Sequence, residues 1–246
     1  MREASSPRTV VVIPAFNEEE SIEAVIRAVI AEGLPCVVVD DGSADRTAEV
    51  VSSTCASLVR LPINLGVGGA LKVGFRFAVE HGYDQVVQID ADGQHPASQA
   101  RLLMESASGS GADLVVGSRF AGPNTVYRIS RVRRACIALL ARRVRSVGVS
   151  VSDPTSGFRL IREPLLSQFA RSFPAHYLGD TFEALLVAGR RGYNVVEVPI
   201  DMRDRQGGRP SADMKALIRS MIRSLAVGLT GPSFDVAPKG VTSGPP

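Results

Sequence analysis

Between residues 9 and 119, short apolar β-branched runs alternate with longer stretches whose apolar positions recur every three or four residues. The run at 9–14, T-V-V-V-I-P, is apolar throughout and too short for a helix, so it predicts a buried strand. Over 18–32, Ile22, Val25, Ile26, Val29 and Ile30 fall on one helical face. The alternation continues with strands expected at 36–40, 57–61, 85–90 and 113–117, and helices at 44–53, 67–81 and 98–107. Strands that are apolar on both faces need cover on both, and crossovers long enough to hold a helix favour parallel pairing. The fold class expected is therefore α/β, a doubly wound, mostly parallel sheet. Ligands of such sheets gather beyond the carboxyl ends of the strands. Those ends carry Asn17 and Glu18, Asp40 and Asp41, Asn64 and Gly66, Asp90 and Asp92, and Ser118 and Arg119.

From residue 120 the pattern is less regular. It offers an arginine-rich helix near 127–147, a loop D-P-T-S-G-F-R at 153–159 and a helix near 178–191. A strand at 194–200, a basic glycine-rich loop at 203–209 and a final helix near 211–229 follow. Residues 1–8 and 231–246 are rich in Ser, Pro and Gly without periodicity and predict mobile tails. The expectation is one domain over 9–230, made of halves 9–119 and 120–210 and a closing amphipathic helix at 211–230.

Composition narrows the function classes. A chain of 246 residues with 45% apolar residues can build a sizeable core, which excludes disorder throughout. Polar residues interrupt every apolar run before 18 positions, and the start M-R-E-A-S-S-P-R has no apolar stretch, so neither a membrane span nor a secretory signal is expected. Three cysteines without paired spacing fit reduced thiols on the cytoplasmic side. With 5% aromatic residues and no tryptophan, stacking platforms for nucleic acid are few.

The sharpest chemical feature is D-A-D-G-Q at 90–94, directly after the apolar run V-V-Q-I. Along an extended segment Asp90 and Asp92 face one side and, with Gln94, offer hard oxygen ligands to Mg²⁺ or Mn²⁺. A solvated turn with capping aspartates fits the same residues. The second feature is D-D-G-S at 40–43, where a strand-end carboxylate can accept a nucleobase N–H or a ribose hydroxyl. A capped strand-to-helix turn is its alternative. Phe16 and Glu18 of the first loop can face the same ligand. The glycines of N-L-G-V-G-G-A-L-K at 64–72 open a helix, yet they match neither the G-x-x-x-x-G-K-[ST] nor the G-x-G-x-x-G spacing.

Taken in order, I-P-A-F-N-E-E, V-V-D-D-G-S-A-D-R-T, N-L-G-V-G-G-A-L-K-V-G-F, Q-I-D-A-D-G-Q-H-P, V-V-G-S-R-F and D-P-T-S-G-F-R resemble the family 2 glycosyltransferases of GT-A fold. The likeness is to the polyprenol-phosphate branch typified by dolichol-phosphate mannose synthases. It implies a Rossmann-like nucleotide-binding half in which Pro14, Phe16, Glu18, Val39 and Asp41, with Asp40 close by, surround the base and ribose. It further implies that Asp90, Ala91 and Asp92 adjoin the nucleotide sugar, that Asp90, Asp92 and Gln94 hold the divalent cation, and that Arg119 contacts phosphate.

The activity so implied is inverting transfer from a UDP or GDP sugar to a polyprenyl phosphate at the cytoplasmic face of the membrane. A lipid phosphate is already ionised and needs positioning more than deprotonation, whereas a hydroxyl acceptor needs a base. Asp180 and Glu183, three apart on one helix face, are candidates for that base, with Asp180 carried forward as the catalytic one; a capping pair is the alternative. His95 can touch phosphate or metal, or simply hold a turn. Arg131 and Arg133 of the arginine-rich helix and Arg205 of the glycine-rich loop are candidate acceptor-phosphate contacts. That loop is a candidate lid. The arginine-rich helix suits an anionic membrane surface or is a solvated face, and the final helix suits the domain, the bilayer or a second copy in a homo-oligomer. Two other readings stay open: a soluble transferase with a hydroxyl acceptor, and a noncatalytic nucleotide- or membrane-binding scaffold, against which the intact Asp90 and Asp92 argue.

Overall fold

The computed structural model describes residues 6–122, 130–173 and 180–202. The loop at 203–209 with Arg205, the helix at 211–229, the carboxyl-terminal tail and residues 1–5 of the amino-terminal tail lie outside the described residues. The first part of the chain runs β1 (Thr9–Ala15), α1 (Ile22–Ala31), β2 (Cys36–Asp40), α2 (Thr47–Ser52), β3 (Ser57–Arg60), α3 (Val67–Glu80) and β4 (Gln85–Gln88). It continues with α4 (Ala100–Ser110), β5 (Leu114–Ser118), α5 (Arg131–Arg145), β6 (Arg159–Arg162), α6 (Leu165–Arg171), α7 (Asp180–Arg190) and β7 (Val195–Pro199). One seven-stranded sheet results, in the order β3-β2-β1-β4-β6-β5-β7.

All neighbours pair parallel except β6, which is antiparallel to both β4 and β5. Successive side chains of a strand point to opposite faces, so runs that are apolar throughout need both faces covered. Val10 and Val12, Val86, Leu114 and Val116 face a layer that includes Leu71 and Phe75 of α3, Leu166 and Phe169 of α6, Leu140 and Val144 of α5 and Leu185 of α7. Val11 and Ile13, Val38, Val87 and Val115 face Ile22, Ile26 and Val29 of α1, Val51 of α2 and Leu103 of α4. Cys36 sits in this second layer, where burial, with the nearby Cys55 adding, pushes its thiol up to about 12, so it stays protonated and packs as a small apolar group.

Several element boundaries differ from the sequence expectation, each for a local reason. The helix expected from residue 18 begins at Ile22, because Asn17 takes a left-handed backbone (φ 56°) and residues 17–19 bond to the next loop instead. The fourth strand stops at Gln88, so Asp90 to Gln94 is a turn rather than an extended segment. The strand β6 and helix α6 fall where no element was expected. Four residues, R-L-I-R, and seven residues after a proline are too short to show a period.

Gly74 illustrates how closely α3 lies on the sheet. A Cβ there would overlap Val12 Cγ1 and sit 3.4 Å from Val39 Cγ2. Gly74→Ala is expected to destabilise by about 1–3 kcal/mol through overpacking, which outweighs the roughly 0.8–1 kcal/mol that alanine gains in helix propensity. A fall in the urea midpoint at constant slope checks this; an unchanged or raised midpoint contradicts the packing.

Candidate active site

The reversal of β6 decides what stands at the ligand edge of the sheet. Because β6 runs against its neighbours, its first residue Arg159 pairs with Gln88 at the end of β4 and with Val116 of β5. The D-P-T-S-G-F loop that precedes it therefore meets the carboxyl ends of the parallel strands. There it touches the acidic turn directly: a Cβ on Gly157 would lie 2.9 Å from Asp90 Oδ2 and 3.1 Å from Oδ1. Any larger residue there would make the Asp90 carboxylate shift.

The acidic turn is held from below. The Asp90 N–H donates to His95 Nδ1 at 3.2 Å, which places the proton of a neutral imidazole on Nε2. The ring is buried and stacks on Phe158, centroids 5.3 Å apart. His95 thus holds the backbone of Asp90 from below. Asp92, 9% exposed, accepts the Gln94 N–H through Oδ1 at 3.0 Å, and Gly93 takes φ 76° to close the turn. Ala91 between them is buried.

The donor chemistry of this turn fits a divalent cation of the Mg²⁺ or Mn²⁺ kind. Among the described residues no three His, Cys, Asp or Glu side chains form a complete metal cage. Asp90, Asp92 and Gln94 offer two carboxylates and an amide oxygen from one turn. Mg²⁺ in particular takes one or two carboxylates and completes its shell with substrate phosphates and water.

On the other side of β1, the first two loops interlock. Asn17 N–H donates to Ser43 Oγ, Ala44 N–H to Asn17 Oδ1, Glu18 N–H to Thr47 Oγ1 and Arg46 N–H to Glu19 Oε2, all within 2.9–3.1 Å. Pro14 and Val39 are register partners beneath them, and Phe16 stands 45% exposed above. Glu18 accepts from Ser21 Oγ at 2.8 Å. Asp41 is buried and accepts the Leu65 N–H at 2.7 Å. Burial raises its carboxyl above the ordinary range; the Leu65 and Gly66 N–H groups pull the other way and the Asp40 charge adds to the rise. Asp40 is fully buried, accepts the Ser43 N–H at 3.0 Å through Oδ1, and has Oδ2 3.4 Å from Arg60 Nε with no hydrogen bond.

Arg119 is engaged within the protein itself. Its Nε and Nη2 form a fork on Asp153, at 2.6 and 2.9 Å, and Nη2 also donates to Thr155 Oγ1 at 2.9 Å. The pair is buried, with Asp153 fully enclosed. The residue expected to contact phosphate thus also fastens the loop that reaches Asp90. Burial alone would raise the Asp153 carboxyl, but the Arg119 hydrogen bonds and charge, with Thr155, hold it below the ordinary range.

Two further anchors of this loop have no counterpart among the expected site residues. Glu197 Oε1 of β7 accepts the Ser152 and Asp153 N–H groups and the Ser152 hydroxyl. Arg159, buried, donates to the Pro154, Ser156 and Thr181 carbonyls, tying the loop to the start of α7. Of the two, only Arg159 lies in the run D-P-T-S-G-F-R, and no sequence signal marked Glu197. Asp180 is the first residue of α7 and Glu183, one turn on, is buried; the Asp180 side chain lies outside the description. Arg131, exposed, and Arg133, half-buried, occupy the first turn of α5. The segment 123–129 before them, with Arg128, lies outside the described residues.

Comparison with known proteins supplies the family. The sequence model described as "Glycosyl transferase family 2" matches residues 10–169. The chain belongs to this family. Polyprenol monophosphomannose synthase of Mycolicibacterium smegmatis is 31% identical over 236 residues, spanning 91% of this chain and 88% of that protein. Undecaprenyl-phosphate mannosyltransferase of Micrococcus luteus is 31% identical over 212 residues, 82% of this chain and 86% of its own. Glucosyl-3-phosphoglycerate synthase of Mycobacterium tuberculosis, solved with Mn²⁺, UDP-glucose and phosphoglyceric acid, superposes with TM-score 0.70 at 27% identity, covering 93% of this chain and 82% of that one. This glycosyltransferase therefore has the GT-A fold expected from the resemblance.

Asp153→Asn leaves the buried Arg119 without its counter-charge and is expected to cost about 3–5 kcal/mol in chemical denaturation. The pH dependence follows from the lowered carboxyl. The wild-type pair contributes fully above the ordinary aspartate value of 3.8 and loses that contribution as pH falls below it through the depressed value. The variant should lack this acid-side slope; identical curves would contradict the assignment.

Proposed function

We propose that this glycosyltransferase moves a sugar from a UDP or GDP sugar to a polyprenyl phosphate at the cytoplasmic face of the membrane, by a single inverting displacement with Mg²⁺ or Mn²⁺ bound. The observation that carries this reading is the contact of Gly157 with the Asp90 carboxylate, which joins the loop of the second half to the acidic turn at the end of β4. The named activities of the mycobacterial and micrococcal relatives support the acceptor class, and the Mn²⁺ and UDP-glucose of the solved relative support the donor and cation.

In this reading Phe16 lies against the base, and Pro14 and Val39 floor its pocket. Asp41 accepts a base N–H, while Asp40 and Glu18 keep the loops that line the ribose in place. The cation, held by Asp90, Asp92 and Gln94, neutralises charge on the departing diphosphate. His95 and the Gly157 loop keep Asp90 in the orientation that this needs. Arg119, bound to Asp153, positions the loop and, with Arg131, Arg133 and Arg205, is a candidate for the acceptor phosphate. An ionised phosphate oxygen attacks without a base, so the first reading gives Asp180 no obligatory proton transfer.

A second reading, a hydroxyl acceptor as in the solved phosphoglycerate-bound relative, is favoured by one observation. Arg159 links the loop to the Thr181 carbonyl, beside Asp180 and Glu183, so carboxylates stand close in the chain to the acceptor side. There Asp180 would take the proton. Incubation with Mn²⁺, labelled sugar nucleotides and either polyprenyl phosphate or phosphoglycerate separates the two. Label entering the organic phase only with the lipid supports the first reading, and label only in the water-soluble product overturns it.

Asp92→Ala is expected to lower turnover at least about 10²-fold with unchanged melting, since it removes charge stabilisation of the leaving group. Gly157→Ala should cost about tenfold or more in turnover by displacing Asp90, because misplacement by an ångström can cost about 10²-fold. Full activity in either variant contradicts the role given to the acidic turn.

A further inference from the structure

We propose that Glu197, on the edge strand β7, is a positioning residue for glycosyl transfer, setting the height of the loop at 152–157 and through it the orientation of Asp90. The inference rests on the reading of Asp90 as a cation ligand given above.

Glu197 shares a face of β7 with Val195 and is in register with Val116 of β5. Val116 and Val195 both pack into the layer of α3, α5, α6 and α7. An apolar residue would serve that packing without the cost of taking a carboxylate out of water. The carboxylate is used as an acceptor. Its Oε1 takes the Ser152 N–H at 2.8 Å, the Ser152 hydroxyl at 2.9 Å and the Asp153 N–H at 3.0 Å. All three donors are neutral groups. Three donors on one oxygen are supported by full negative charge and less well by an amide oxygen.

The bond to Ser152 orders a further pair of hydroxyls. Ser152 gives its only hydroxyl proton to Glu197, so across the 3.0 Å between the two serine oxygens Ser118 is the donor. Ser118 Oγ in turn accepts the Phe120 N–H at 3.1 Å. The chain of bonds thus runs from the residue after Arg119, through Ser118 and Ser152, to β7. Asp153 is held twice, by its backbone on Glu197 and by its side chain on Arg119. Beyond Asp153 the loop closes on itself. Thr155 Oγ1 donates to Asp153 Oδ1 at 2.8 Å, the Ser156 N–H to the Asp153 carbonyl at 3.3 Å and the Phe158 N–H to Ser156 Oγ at 3.3 Å. A displacement at Asp153 therefore reaches Gly157, which lies against the Asp90 carboxylate. Phe158 carries the same displacement to His95, on which it stacks and which accepts the Asp90 N–H.

The test compares the wild-type full chain with Glu197→Ala and Glu197→Gln, by calorimetric titration of UDP and GDP with and without Mn²⁺ and by hydrogen exchange of the metal-free chain. The nucleotide that binds the wild type more tightly is the one compared. Outer partners of metal ligands carry about 10–100-fold in metal affinity, so Glu197→Ala should reduce the Mn²⁺-induced gain in nucleotide affinity about tenfold. Affinity without metal should stay within about twofold, because Phe16 and Asp41 lie on the other flank of the acidic turn. A loosened domain would lower both affinities together. Exchange should quicken about tenfold at Ser152 and Asp153, and also at the Asp90 amide, which His95 holds. Glu197→Gln keeps the shape with a weaker acceptor and should show the same changes at about threefold, so an alanine variant that fails to fold leaves the test in place. In a folded variant, a Mn²⁺ gain or an Asp90 exchange rate equal to the wild type's, or a metal-free affinity that falls as far as the gain does, overturns the inference and leaves the reading of the acidic turn standing. A wild-type chain whose nucleotide affinity Mn²⁺ does not change overturns that reading, and the inference with it.

Discussion

The buried fork between Arg119 and Asp153 is the interaction on which the site depends. Taking two charges out of water is costly, and the cost is offset only when geometry is good and the remaining polar groups are satisfied. Both conditions hold: the guanidinium meets the carboxylate at 2.6 and 2.9 Å, and Thr155 shares a donor. One partner comes from the end of β5 and the other from the loop before β6. The pair thus fixes that loop against the sheet, at the height where Gly157 meets Asp90.

The two flanks of the ligand edge are rigid by different means. Around Asp41 the backbone itself does the work, through side chains of one loop capping N–H groups of the next and the Leu65 N–H closing on the carboxylate. Around Asp153 charged side chains do it, with half-buried Glu197 gathering two N–H groups and buried Arg159 three carbonyls. The first arrangement suits a flat ligand with fixed polar edges. The second holds the loop that borders the acidic turn. Preorganisation of both kinds keeps reacting groups in place before they meet.

The acidic turn joins these flanks. Asp90 answers to both, since His95 accepts its N–H from one side and the Gly157 loop borders its carboxylate on the other.

The sequence by itself determined the α/β class, the strands β1 to β5, and the acidic and polar residues at their ends, because short apolar runs and 3.6-residue periodicity are local signals. It also determined the family, through ordered motifs rather than any single one. Tertiary structure alone decided the antiparallel β6, which four residues cannot announce, and the pairing of Arg119 with Asp153, thirty-four positions away. It alone decided that the Asp90–Gln94 segment is a turn and that His95 supports it, for Asp90 is bordered by a glycine from a distant loop. Partners across a sheet are chosen by strand order and register, which depend on how the whole chain packs and leave no trace in local spacing.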